Sequence, residues 1–520
     1  MKACRLWIAV ALLSSRESCL IGSELVSSLQ SLQQSLAQHS SNIAGSKDYK
    51  KLSWWASQMA TLPVLPIIRA PDAIKALISY EDYMSLLQEV TQQNIKQMND
   101  VLTSPVVKGY SVFYAARKII QAPATIYCWG DFHGDIHTLI ASLDFLRTKE
   151  KVLTTEEKVL TDEFKIVQGN VFFVFNGDYV DRGWYGAEVH AVLCLLKKNN
   201  PHNVFLMHGN HENIDTDYKY GFLKECAIKF KITKFTPKAF KSNPQQEPWA
   251  TIDNFYKSLP AVLYVGVPDK SNNNYLQFCH GALEFYKLGS LLSQGIDTSL
   301  YFERIGQTPS VKLLEKIVDQ ADQKQLASGV LRALSDQVKY GDRSDINKIA
   351  GESDLSKQWP LITAAVEKWQ VVPLGYTWGD FNAAGISTSF NPDRSWIFGK
   401  SLSDAIFELY GAKNNIVAVF RAHQHSRTSM PGLFIEANRN IYKRPYMNKH
   451  FVFTSVATPT MGLPGRGFMK IKLGSNDPEE WGLTSVWSKC ERKSPKDVCE
   501  WLDWVKITQG TLAQWKSNES

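Results

Sequence analysis

Three short, unbroken apolar runs set the plan of the chain: Ala124-Thr125-Ile126-Tyr127-Cys128-Trp129, Val171-Phe172-Phe173-Val174-Phe175 and Val204-Phe205-Leu206-Met207. Each is bounded by Gly and polar residues. Runs of that length read as strands buried on both faces, as in the sheet of an α/β domain. The same pattern returns at Ala261 to Val267, at Leu276-Gln277-Phe278-Cys279 and at Ile416 to Phe420.

Elsewhere the spacing is helical or polar. Leu25, Leu29, Leu32 and Leu36 recur at 4-3-4 intervals among Ser and Gln, a narrow stripe of the coiled-coil or hairpin kind. The Pro-bearing stretch Leu62 to Pro71 interrupts it, and Ser79 with Asp82 forms a capping box for a second helix over roughly Tyr80 to Leu102. This predicts an N-terminal α-helical hairpin over 1–105, packed on the body or serving as an arm for a protein partner. Thr148 to Lys165 reads as a solvated insertion, and Lys229 to Lys241 as a basic segment able to attract acidic peptide flanks. Val311, Leu314, Ile317, Val318 and Ala321 predict a helical insertion at about 286–370 within a central unit spanning 106–475. Ser494-Pro495 with Asp497 reads as a capped start, and Val498, Trp501, Leu502 and Val505 share a helical face, so 476–520 is expected to dock as a helical tail.

Composition narrows this picture. A chain of 520 residues exceeds one ordinary core, and 44% hydrophobic with 21% charged residues describes a globular protein. The net charge of +7 is spread along the chain; it suggests acidic or phosphorylated partners only weakly and gives no sign of nucleic acid. The 8 cysteines form no CxxC pair, and Cys128 and Cys279 lie in or beside strands, which fits reduced thiols and an intracellular setting. No run reaches the roughly eighteen apolar residues of a membrane span. Lys2 and Arg5 before Leu6 to Leu13 resemble a short signal-peptide core, yet Arg16 and Glu17 follow and no small-x-small site is clear; a buried first helix is the alternative.

The chemistry sits just past the strand ends, where open α/β sheets build their sites. Gly130-Asp131-Phe132-His133-Gly134-Asp135 follows the first run, Gly177-Asp178-Tyr179-Val180-Asp181-Arg182-Gly183 the second, and Gly209-Asn210-His211-Glu212 the third. Carboxylates, an imidazole and an amide oxygen are donors for hard or borderline divalent metals. Further on come Tyr220-Gly221-Phe222-Leu223-Lys224-Glu225-Cys226, then His280-Gly281, Tyr376-Thr377-Trp378-Gly379-Asp380, Asp393-Arg394 and Arg421-Ala422-His423-Gln424. The remaining histidines, His39, His137, His190, His202, His208, His425 and His450, read as core or surface residues.

Taken in order over roughly Ala122 to Leu473, these motifs resemble the phosphoprotein phosphatase (PPP) family of calcineurin-like metallophosphoesterases. The resemblance implies a β-sandwich flanked by helices, an α/β fold. It implies two divalent metal ions (Mn, Fe or Zn, with Mn the expected choice in vitro). Asp131, His133 and Asp178 would hold one ion, and Asp178 would bridge to a second completed by Asn210, His280 and His423. Two such ions clamp a phosphate and activate water near neutral pH. Arg182 and Arg394 would fork onto phosphate oxygens, with Asn210 and His211 also facing the substrate. His211 would be the general acid, oriented by Asp181, and Glu212 would brace the third motif. The implied activity is hydrolysis of phosphomonoesters on protein side chains.

Two departures bear on the substrate. Ser455-Val456-Ala457-Thr458-Pro459-Thr460-Met461 stands where Ser/Thr-specific relatives carry a Tyr-containing loop, and His280-Gly281-Ala282 replaces His-Gly-Gly. Phosphotyrosine therefore stands beside phosphoserine and phosphothreonine as a substrate. The helical arm and divergent surroundings resemble a bacterial effector delivered into host cytoplasm, of the Wip type found in Legionella. A nucleotide or dinucleotide phosphohydrolase and a pseudophosphatase scaffold are the competing readings. No His-Cys dipeptide occurs, which excludes the Cys-dependent phosphatase signature.

Overall fold

The computed structural model describes residues 47–59, 76–98, 113–150, 158–231, 248–268 and 273–284 nearly without interruption. Shorter described stretches follow as far as residue 511, among them 300–305, 344–352, 375–381, 414–424 and 465–491. The signal-like segment, the Leu25 to Leu36 stripe, the Val311 to Ala321 periodicity, Arg394 and the 456–461 loop lie outside the described residues.

The strands in chain order are β1 (Phe113–Ile119), β2 (Ala124–Trp129), β3 (Val171–Phe175), β4 (Val204–Leu206), β5 (Val262–Pro268) and β6 (Asn273–Cys279). After these come β7 (Leu300–Ile305), β8 (Asp380–Phe381), β9 (Ser389–Asn391), β10 (Ser395–Phe398), β11 (Asn414–Arg421) and β12 (Phe434–Ile435). The last are β13 (Ile441–Pro445), β14 (Phe451–Ser455), β15 (Gly465–Leu473), β16 (Gly482–Glu491), β17 (Glu500–Trp501) and β18 (Val505–Thr511). They form an eight-stranded sheet in the order β12-β13-β14-β11-β6-β5-β1-β7 and a seven-stranded one in the order β17-β16-β15-β2-β3-β4, with β18 also on β16. A small sheet, β8-β10-β9, stands apart.

The helices that matter here are α1 (Leu52–Met59), α2 (Tyr80–Met98), α3 (Ile136–Thr148), α4 (Gly186–Asn199), α5 (Ile214–Tyr220), α6 (Phe222–Lys229) and α7 (Trp249–Lys257). The three apolar runs are the parallel strands β2, β3 and β4, buried along their whole length. Their alternation explains why no polar face interrupts them. Ile126, Cys128, Phe172 and Val174 point into the layer between the two large sheets, with Leu263, Leu276, Phe420 and Ile471. Tyr127, Trp129, Phe173 and Phe175 point the other way, onto the helices. The architecture is the β-sandwich flanked by helices that the motifs imply.

The capping box at Ser79 is present. Ser79 Oγ accepts the Asp82 N–H at 3.1 Å and donates to Asp82 Oδ2 at 2.9 Å. The helix it starts packs on the body, the first of the two readings. Tyr83, Leu86, Leu87 and Val90 of α2 and Leu52 and Trp55 of α1 belong to the same apolar cluster as β2, β3 and α3 to α7. The Tyr83 hydroxyl meets buried His190 Nδ1 at 3.1 Å. Each fully buried Leu or Val there contributes about 1.5–3 kcal/mol to one shared core.

Three expectations are corrected. The C-terminal tail is not helical among its described residues: β17 pairs with Cys490–Glu491, and β18 pairs with Gly482 to Trp487. A short apolar run satisfies either period, and here the open edge of β16 supplies a backbone ladder that a helix would leave unpaired. Within the 286–370 insertion, Leu300–Ile305 is strand β7, antiparallel to β1. The Thr148 to Lys165 loop is not merely solvated, since Val159, Leu160 and Phe164 are buried and Asp162 accepts hydrogen bonds from Ser53 N and Oγ at 2.7 Å each.

Candidate active site

The loops after β2, β3 and β4 lock into one another through main-chain bonds. Phe132 N and His133 N donate to Asp178 O at 3.0 and 2.9 Å, and Gly134 N donates to Tyr179 O at 2.9 Å. A Cβ on Gly183 would lie 2.2 Å from His133 O, so only glycine allows this approach. Glu212 braces the second and third loops as expected. Its carboxylate accepts N–H bonds from Asp178 (2.8 Å), Tyr179 (2.9 Å) and Gly209 (2.7 Å). Burial pushes its pKa up to about 8, against which these amide donors act.

His133, Asp178, Asp181, Arg182 and His423 all have positive φ, between 48° and 69°. For residues with side chains this conformation is costly, and its concentration at one place marks a functional site held by its surroundings.

The site centres on Asp178. His280 Nδ1 donates to Asn176 O at 2.8 Å, which leaves Nε2 as a lone pair facing inward. That nitrogen lies 2.8 Å from Asn210 Oδ1, 3.2 Å from Asp178 Oδ2 and 3.2 Å from His423 Nδ1. On the other side, His133 Nδ1 donates to Val180 O at 3.1 Å and turns its Nε2 toward Asp178 Oδ2 at 3.6 Å. These separations suit atoms that share one ion at bond lengths of about 2.0–2.2 Å. Burial alone would raise the Asp178 pKa, but His280, His211 and His133 hold it well below the usual carboxylate range. Burial alone would lower that of His280, but Asp178 raises it. Acceptors converging on one point, around a carboxylate that stays charged, fit a divalent cation.

Two compact groups result, His133 with Asp178 and His211, and Asp178 with His280 and His423. Asp131 joins neither. Its Oδ1 accepts the His423 N–H at 3.0 Å and lies 3.6 Å from His280 Nδ1, and burial pushes its pKa up to about 6.

His211 has a distinct environment. Its Nδ1 donates to Asp181 Oδ2 at 2.7 Å, while Asp181 Oδ1 accepts the Phe222 N–H at 2.9 Å. Its Nε2 opens onto the site, 3.9 Å from Asp178 Oδ2. Arg182 Nη1 donates to His133 Nε2 at 2.7 Å and Nη2 to His211 Nε2 at 3.1 Å, so the guanidinium fork lies between the two rings. The Tyr220 ring flanks both, 5.0 Å from the His211 ring and 5.6 Å from the Arg182 guanidinium.

Two features escaped the sequence reading. Asp380, itself buried, places Oδ1 3.7 Å from His423 Nε2, beside a candidate ligand ring. Its only sequence signal was its place after Trp378-Gly379. Asn176 O and Val180 O fix imidazole tautomers through backbone carbonyls, which no sequence marks. Conversely, Lys229 is buried, paired with Glu188 and Glu225, and unavailable to a peptide.

Residues 124–427 match the calcineurin-like phosphoesterase family. Serine/threonine-protein phosphatase SIT4 of Candida albicans is 37% identical over 144 residues, 28% of this chain and 39% of that protein. Serine/threonine-protein phosphatase PP1-1 of Saccharomyces cerevisiae is 30% identical over 146 residues, again 28% and 39%. The chain thus spans about two-fifths of the length of these relatives. Among solved structures, a Saccharomyces cerevisiae protein serine/threonine phosphatase aligns over 81% of this chain and 93% of its own, with 15% identity and a TM-score of 0.43.

Proposed function

The chain belongs to the calcineurin-like phosphoesterase family, and from that membership we propose that it is a metal-dependent phosphoprotein phosphatase. The observation that carries this reading is the convergence of Asp178, Asn210, His280 and His423 acceptors beside the His211–Asp181 pair and the Arg182 fork. The family resemblance would have Asp131, outside both compact groups, join His133 and Asp178 on one divalent ion in place of His211, and Asp178, Asn210, His280 and His423 hold the other. Bound there, the ions would supply Lewis acidity at phosphoryl oxygens and acidify water.

The protein's own groups do the rest. Arg182 holds phosphate oxygens with two N–H groups in one plane, a geometry that Lys cannot supply. His211, its Nδ1 fixed on Asp181, would serve as the general acid with a proton on Nε2, once Arg182 Nη2 turns from that nitrogen to the phosphate. Glu212 keeps the second and third loops in register. Arg394 is assigned as the second phosphate fork. The similarity to serine/threonine phosphatases supports a protein substrate, and the absent loop Tyr adds phosphotyrosine to the substrates.

The test is a panel of matched phosphoserine, phosphothreonine and phosphotyrosine peptides, with diadenosine tetraphosphate and bis(nitrophenyl) phosphate, on metal-stripped protein reloaded with Mn, Fe or Zn. Metal-dependent turnover of phosphopeptides is expected, with phosphotyrosine at least comparable to phosphoserine. A kcat/KM higher on the dinucleotide or the diester than on every peptide would overturn the assignment.

A further inference from the structure

Behind the Arg182 loop lies a buried group of charges that the proposed chemistry does not use. Lys229, the last residue of α6, donates to Glu188 Oε2 and, at 2.9 Å, to Glu225 Oε1; all three side chains are fully buried. The Lys229 ammonium also lies 4.8 Å from the Tyr185 ring centre. Glu225 in turn caps α4. Its Oε2 accepts the Gly186 N–H and its Oε1 the Ala187 N–H, both at 3.0 Å. The helix has no cap of its own, since the side chain of Tyr185 makes no capping bond. Glu188, in the first turn of the same helix, accepts the Leu77 N–H at 3.2 Å through its other oxygen, from the segment that leads into α2.

This group joins both sides of the loop that carries Asp181 and Arg182. The loop runs directly into α4 at Gly186. From the α5–α6 junction, Tyr220 O accepts the Arg182 N–H at 3.1 Å, and Phe222 N–H donates to Asp181 Oδ1 at 2.9 Å. A Cβ on Gly186 would lie 2.8 Å from the Phe222 ring, so α4 and α6 touch without space between them. Asp181 and Arg182 have φ of 68° and 64°, a strain that persists only while the surrounding structure enforces it.

We propose that Lys229 is a positioning residue: by clamping Glu188 to Glu225 it holds α4 against α6, and so fixes the loop that presents Arg182 to phosphate and Asp181 to His211. The clamp also carries the N-terminal segment, through Leu77, into the active-site scaffold. The inference rests on the phosphatase reading for its activity arm, and on phosphate binding independently of it.

The test uses the full chain loaded with Mn. Lys229→Met leaves two buried carboxylates facing each other and can unfold the protein. A charge-balanced pair, Glu188→Gln with Lys229→Met, keeps the net charge of the cluster and the acceptor for Leu77 N. Assayed well below its melting temperature, the pair should lose at least tenfold in kcat/KM on a phosphopeptide. It should bind inorganic phosphate at least fivefold more weakly by calorimetry, with Mn content unchanged. Lys229→Arg, which keeps the charge, should recover most of both losses. If the folded, Mn-loaded pair binds phosphate and turns over within twofold of the unchanged protein, Lys229 serves stability alone and the proposal fails. If the unchanged protein shows no turnover at all, the phosphatase reading fails, and the phosphate titration alone decides the role of Lys229.

Discussion

The assignment of His211 as the proton donor can be tested by making the leaving group need a proton or not. Its Nδ1 bond to Asp181 Oδ2 is 2.7 Å long and buried at both ends. A charge-assisted bond of this kind is worth about 1.5–3 kcal/mol. Asp181→Asn keeps the shape and removes the charge. At 1.36 kcal/mol per decade, that loss slows an acid-dependent step by roughly 10- to 150-fold. His211→Ala removes the acid itself, for which losses of about 10²–10⁴ are usual. Both figures apply to a phosphoserine peptide, whose alkoxide must be protonated as it leaves. Nitrophenolate leaves without that help, so nitrophenyl phosphate should lose less than about tenfold in either variant. The assay is kcat/KM for both substrates at one pH with saturating Mn, with metal content measured in each variant. Equal losses on the two substrates, with metal retained, would refute the acid role and leave His211 as a structural or metal-side residue.

Asp178→Asn should abolish turnover and lower bound metal, because Asp178 belongs to both candidate metal groups; full activity with normal metal content would dismiss it as the shared ligand. Lys197 is buried with only neutral acceptors among its hydrogen-bond partners, Gln97 Oε1 at 3.2 Å, Pro201 O at 2.9 Å and Val204 O at 3.0 Å, and burial pushes its pKa down to about 7. An unfolded Lys titrates near 10.4, so between those values the unfolded chain binds the extra proton and the Lys197 contribution to stability rises with pH. Lys197→Met should remove about 1–3 kcal/mol of that rise between pH 6.5 and 9, read from urea unfolding; parallel pH profiles would count against it. Leu87→Ala, at a fully buried position of α2, should cost about 2–5 kcal/mol, with activity and helicity lost in a single thermal transition. Separate transitions would restore the view of α2 as an independent arm.

The sequence alone determined which chemistry is present and where it sits along the chain. Donor atoms, glycines and strand runs are local properties, so the motifs around Asp131, His133, Asp178, Asn210, His211, His280 and His423 stand out by residue type and by the apolar run before each, while the role of each residue is what the resemblance to the phosphatase family implies. The Ser79–Asp82 cap was legible for the same reason, since its bonds span one turn. Tertiary structure decided everything that depends on what lies opposite. Lys229 reads as a solvated basic residue until Glu188 and Glu225 are folded against it. Val505 and its neighbours carry a helical spacing, but the free edge of β16 makes them a strand. In sequence α2 can either pack on the body or stand free as an arm, and only the cluster beneath Leu87 and Val90 shows that it completes the core. The tautomers of His133 and His280 are set by carbonyls of Val180 and Asn176, groups that every residue carries and that only the fold can aim.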